Sequence, residues 1–230
     1  MLRHSGEDRV VSLNARSASA PARIDDLRLD VVRLGSLAAS SIPAAADALA
    51  DGDLDEASRI VTDDDAVDAQ RHGIEDESMR LLESGRLDAS DARFVVSTLR
   101  VAHELERTAD LMVNVARTAW RLHPAALDAQ TRNLLRRMGR QVVLQIRVAV
   151  NAFADGDMTS AAALGDMDDA VDEMHDLLVR RALVKPSERL DDATVLRAVQ
   201  MTLVARHFER AGDHAVTIAG FVPFVVTGRH

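Results

Sequence analysis

The chain has 230 residues, 47% of them hydrophobic and 28% charged, with 11 Gly, 5 Pro and only 3% aromatics. So few aromatic and turn residues argue against a β-sandwich or barrel and for an all-α protein long enough to bury a sizeable core. A net charge of −9 disfavours generic nucleic-acid binding, and zero cysteine excludes disulfides and thiolate metal sites.

Residues 1–23 show no sustained period and are expected to form a flexible tail. No apolar h-region marks a secretory signal there, and no apolar run elsewhere reaches the roughly 18 residues of a membrane span. A cytoplasmic protein is the expectation. From Ile24 the hydrophobic pattern predicts six helical stretches, 24–50, 54–83, 89–122, 127–155, 158–183 and 190–226. Their stops are Asp51-Gly52-Asp53, Ser84-Gly85, His123-Pro124, Asp155-Gly156-Asp157 and Lys185-Pro186-Ser187. Pro43 is expected to kink or divide the first stretch. Short connections make consecutive helices antiparallel neighbours. The fold expected is two tandem three-helix bundles, 24–124 and 125–230.

The halves are copies. Val101–Ala116 aligned with Val204–Ala219 gives 7 identities in 16 positions, and 50–68 aligned with 154–172 gives 10 in 19. Offsets of 103 and 104 residues in two separate places point to duplication. The copied segments carry charge. Glu106-Arg107-Thr108-Ala109-Asp110 recurs as Glu209-Arg210-Ala211-Gly212-Asp213, and Asp64-Asp65-Ala66-Val67-Asp68 recurs as Asp168-Asp169-Ala170-Val171-Asp172.

Written as heptads, the third stretch has one seam of Val95, Ala102, Ala109 and Ala116 and another of Leu99, Glu106, Val113 and Trp120. The last stretch repeats this, with Glu209 in line with Val195, Thr202 and Val216. Acids four residues apart share a helix face, so each bundle offers two acid-x-x-x-acid helices and a nest of four carboxylates. Four anions in a half-buried seam repel one another. They can bind cations through oxygen, pair with Arg71, Arg107 or Arg210, or form a wet face.

At these residues the chain resembles the PhoU family. Arg206-His207-Phe208-Glu209-Arg210-Ala211-Gly212-Asp213-His214-Ala215 resembles its most recognisable segment, and Leu105 to Asp110 with Asn114-Val115-Ala116 resembles a weaker copy. The similarity runs from about residue 24 to 230. Thr217 stands where the family often has the Asn kept at Asn114, and the tail is not a usual family feature. The resemblance implies a cytoplasmic, non-enzymatic regulator of phosphate uptake. It would link the ATPase subunit of an ABC phosphate transporter to a sensor histidine kinase, touch the membrane only through partners, and form a homodimer. It also implies multinuclear metal clusters of iron, or of zinc, manganese or magnesium. The ligand candidates it carries over are Asp64, Asp68, Glu106 and Asp110, then Asp168, Asp172, Glu209 and Asp213.

His175 follows Asp172 by three residues and can reach the same ion, although a lone His on an amphipathic helix is more often packed or exposed. Asp65 and Asp169 are expected to point away into solvent. Arg107 and Arg210 either orient carboxylates or bridge to another helix. Trp120 and Phe221 are expected in the core or an interface. No nucleophile–base constellation, phosphate-binding Gly loop or Glu-x-x-His di-iron pair occurs, which argues against an enzyme. The alternatives are a carboxylate-bridged metalloenzyme and a regulatory module of a sodium–phosphate symporter.

Overall fold

The structure is a computed structural model that describes residues 20–183 and 191–229. Its helices are α1 Ala20–Asp51, α2 Leu54–Glu83, α3 Ala89–Leu122, α4 Ala129–Asp155, α5 Met158–Ala162, α6 Leu164–Leu183, α7 Asp192–Gly220 and α8 Val222–Thr227. No strand occurs among the described residues. Residues 1–19 of the expected tail and the stop at Lys185-Pro186-Ser187 lie outside them.

Most stops act as the sequence requires. In both Asp-Gly-Asp breaks the glycine takes a positive φ of 68°, which costs glycine little. The following aspartate then caps the next helix. Asp53 accepts from the backbone of Asp55 and Glu56, and Asp157 from that of Thr159 and Ser160.

Four details differ from expectation. α1 begins at Ala20 rather than Ile24; Pro21 is tolerated in a first turn, and Arg23 is held by Glu77 of α2 at 2.7 Å. α1 also runs undivided through Pro43. The hydroxyls of Ser40 and Ser41 donate to the carbonyls of Leu37 and Ala38 in the turn before the proline, while Ile42, Ala45 and Ala46 are buried around it. The fifth stretch breaks after the single turn of α5, and the sixth breaks at Phe221, ahead of Pro223. Of the two places expected for Trp120, the core is excluded, since its side chain is exposed.

α1, α2 and α3 pack on one another, as do α4, α6 and α7. The two triplets join where α1 lies on α4 and α3 on α7, so one hydrophobic core runs through both. The α1–α4 crossing is close because glycine stands in it: a Cβ on Gly35 would come within 2.8 Å of the Val150 side chain. Phe94 of α3 stacks on Phe153 of α4 at 5.2 Å, and the Arg28 guanidinium lies 4.2 Å above the Phe94 ring. α2 and α6 make their main contacts within their own triplets. They are the helices that bring the second acid pair to each site. No helix among the described residues is long and apolar enough to cross a membrane.

Candidate functional site

Each triplet carries its acids where an outer helix meets a central one. In the first, Ile60, Val67 and Ile74 bury the inner face of α2, which turns Asp64 and Asp68 toward α3. Leu105, Ala109 and Met112 bury α3 around Glu106 and Asp110. Asp64, Asp68 and Glu106 are half-buried and Asp110 is exposed. Burial, reinforced by Asp110, Asp68 and Glu106, pushes the Asp64 carboxyl up to about 6. Burial and Asp110 likewise raise Glu106, against the opposing pull of Arg71 and His103. The four acids therefore repel one another as a group. Asp64 also lines a cavity of about 200 Å³ between α1, α2 and α3, with Ser41, Ala109 and Val113 on its walls.

In the second triplet Leu164, Val171 and Leu178 bury α6, and Phe208, Ala211, Gly212 and Ala215 bury α7. Asp168 and Glu209 are half-buried, while Asp172 and Asp213 are exposed. Burial raises Glu209, and Asp213 and Asp172 add to it against Arg206 and His175. Burial raises Asp168 too, opposed by a hydrogen bond from Gln145 and reinforced by Asp172 and Asp213. Asp172, His175 and Glu209 line an open recess of about 550 Å³ with Asp169, Glu173 and Asp176. Asp169 is exposed to solvent, as expected, at the rim of this recess. Asp168 instead faces α4, where Gln145 Nε2 donates to its Oδ1 at 3.2 Å.

Of the arginines that could neutralise the acids, Arg71 acts on Glu106 only from a distance and the other two turn away. Arg71 pairs with Glu75 at 2.6 Å. Arg107 lies 4.0 Å from Glu104, and both Arg107 and Arg210 act on His214, at the α3–α7 boundary. The side chains that reach the motif glutamates stand three residues before them: His103 at 3.5 Å from Glu106, and Arg206 paired with Glu209. Arg71 and His103 in the first half, and Arg206 and His175 in the second, oppose only part of the repulsion, so each quartet keeps excess negative charge.

The donor set suits a hard or borderline cation, since it is all oxygen and short of positive partners. Glu209 Oε2 is buried with no hydrogen-bond partner, as expected of a carboxylate oxygen that waits for one. Among the described residues, however, no three His, Asp or Glu side chains converge on a common point. Mutual repulsion drives uncompensated carboxylates apart, so binding an ion here requires their side chains to rotate inward.

One residue of consequence escaped the sequence reading, and another stood in it only as a histidine flanking the motif. Gln145 is a fully buried amide on the otherwise apolar face of α4, a signal that periodicity could have given. His214 is buried at 4% exposure, with Nδ1 3.0 Å from Thr108 Oγ1 of α3; only the pairing of α3 with α7 shows its importance.

The PhoU domain family model matches residues 31–119 and again 135–222. A phosphate-specific transport system accessory protein PhoU homolog from Caulobacter vibrioides is 30% identical over 203 residues, covering 88% of this chain and 87% of that relative. One from Pseudomonas aeruginosa is 29% identical over 207 residues, 90% of this chain and 85% of that protein. The crystal structure of PhoU from Pseudomonas aeruginosa superposes with a TM-score of 0.82 at 28% identity, covering 92% of this chain and all of that one. The Streptococcus pneumoniae phosphate transport system regulatory protein PhoU has the same fold, with a TM-score of 0.81 at 24% identity over 92% of this chain and 98% of that one.

Proposed function

The chain belongs to the PhoU family, and from that premise we propose that it is an accessory protein of phosphate transport that regulates uptake and the phosphate-starvation response. It acts in the cytoplasm as a non-enzymatic adaptor between the ATPase subunit of an ABC phosphate transporter and a sensor histidine kinase. The observation that carries this reading is the recurrence of an under-neutralised carboxylate quartet, part half-buried and part exposed, in both PhoU-matched segments.

In this reading Asp64, Asp68, Glu106 and Asp110 hold metal in the first half, and Asp168, Asp172, Glu209 and Asp213 in the second. The metal supplies positive charge that cancels their repulsion and ties each outer helix to its central one. The chain's own residues do the rest. Small side chains at Ala109 and Gly212 let α2 and α6 approach, and His103 and Arg206 restrain the two glutamates. Deleting the gene in its own organism is expected to leave the starvation response on in phosphate-rich medium. The purified chain is expected to retain the transporter's ATPase subunit on a column. A silent response with no retention ends the adaptor reading; turnover of a substrate that disappears with the quartet favours a metalloenzyme.

The proposal includes a homodimer. Val195, Leu196, Val199 and Leu203 form an exposed apolar face on α7. Their counterparts on α3 are Ala92, Arg93, Val96 and Arg100. There Arg93 donates to the Val225 carbonyl at 3.3 Å, and Arg100 lies 5.6 Å from the Phe221 ring. The chain's own C-terminal turns thus engage Arg93 and Arg100 of α3, where Val96 is the one apolar side chain left 45% exposed, whereas all four α7 positions are exposed apolar side chains that suit a second copy. Light scattering is expected to give a dimer that Val199→Glu converts to monomer. A monomeric parent chain removes this part.

A further inference from the structure

The two quartets differ in what stands behind them. In the second, Gln145 of α4 is fully buried, its Nε2 donates to Asp168 Oδ1, and its Oε1 has no hydrogen-bond partner. A buried polar atom without a partner is unfavourable, so packing does not account for this side chain. Its room comes from Gly212. A Cβ there would stand 2.8 Å from Asp168 Oδ1 and 3.0 Å from Gln145 Oε1. The missing methyl group is what lets the amide and the carboxylate meet beside α7.

The first half lacks both devices. At the copied positions Gln145 is replaced by Ser41 and Gly212 by Ala109. Ser41 gives its hydroxyl to the Ala38 carbonyl of its own helix. Asp64, the copy of Asp168, lines the cavity that Ser41 and Ala109 leave. No described side chain of α1 donates to it.

We propose that Gln145 is a positioning residue that fixes Asp168 for cation binding through the gap at Gly212, and that it makes the second site the tighter of two unequal sites. This rests on the metal reading above. A carboxylate held by a donor from behind loses less freedom when it takes an ion. Removing such an outer partner typically weakens metal binding by about 10–100-fold. Where no donor stands, as at Asp64, that gain is missing.

The test is a titration of the full chain with Mn²⁺, followed calorimetrically and by the paramagnetic signal of the free ion. The parent chain is expected to show two classes of site. Gln145→Met keeps the volume and removes the donor. It is expected to weaken the tighter class by about 10–100-fold, to leave the weaker class unchanged, and to leave melting of the metal-free chain unchanged or raised. Asp64→Asn with Glu106→Gln is expected to remove only the weaker class, which assigns the classes to their halves. Equal affinities in the parent chain overturn the proposal. So does a tighter class that survives Gln145→Met, or a loss in both classes together. A parent chain that takes up no Mn²⁺, iron or zinc at all removes the metal reading itself, a result distinct from these.

Discussion

Glu209→Gln combined with Asp213→Asn is expected to weaken metal binding in the second half by more than about 100-fold, or about 2.7 kcal/mol, without destabilising the metal-free chain. Glu209 is the argument for both halves of that result. Its side chain is 15% exposed, and burial, then Asp213, holds its carboxyl above the usual range. Its Oε2 meets no donor. The fold therefore holds this carboxylate against burial and repulsion that Arg206 and His175 only partly oppose, and Gln of the same shape removes that cost. The Arg206 partner is half exposed, so losing the pair matters little. Metal analysis of native-purified protein, with melting in and out of chelator, checks both statements. A metal-free variant that melts well below the parent would show that the acids are structural partners of the bundle and not a binding site.

His214 carries the second large effect, on pH dependence. Thr108 Oγ1 donates its proton to the Glu104 carbonyl at 2.8 Å, so Nδ1 of His214 must be the donor across the 3.0 Å contact to that hydroxyl. Nε2 is left as a bare acceptor, 3.7 Å from a Glu104 carboxylate oxygen and without a hydrogen bond. Burial, helped by Arg107, Arg210 and His103, takes this imidazole down to about 4 from an ordinary 6.5. The unfolded chain then binds the proton more readily than the folded one. Stability from this group is complete above about pH 6.5 and is lost as pH falls toward 4, by up to about 3 kcal/mol. Asp64 runs the other way. Its carboxyl is raised to about 6, so its contribution is largest below about pH 4 and is lost as pH rises through 6. Comparing the parent with His214→Gln between pH 7.5 and 4.5 by denaturant unfolding isolates the histidine. The variant is expected to lose the decline between 6.5 and 4; equal slopes in the two proteins would refute the buried neutral imidazole.

Helix positions were legible because the punctuation is local. The two Asp-Gly-Asp stops combine a positive-φ glycine with a capping aspartate, and such pairs are readable in any context. The interruption at Phe221 was not, since a turn of helix resumes immediately after it. Pro43 does not divide α1 because the residues around it, Ile42, Ala45 and Ala46, are buried, and that packing holds the helix together across the missing N–H. The acids were legible as copies on shared faces, but their partners were not. Arg107 and Arg210 sit next to the glutamates in sequence yet turn to the α3–α7 boundary, because consecutive residues on a helix face about 100° apart. Gln145 comes from a different helix of the same half, so only the packing of α4 on α6 and α7 brings it to Asp168.

The contact of His214 with Thr108 joins the halves once. The copied positions are Leu111 and Ala211, an aliphatic side chain and a methyl group that cannot form the same hydrogen bond. Two separate chains related by a two-fold axis could not do this, since every residue would have to suit both sides of the interface at once. Fusion into one chain removed that obligation. Each half has been free to specialise while the other kept the shared core in place, and a polar lock on one side can be answered by plain packing on the other.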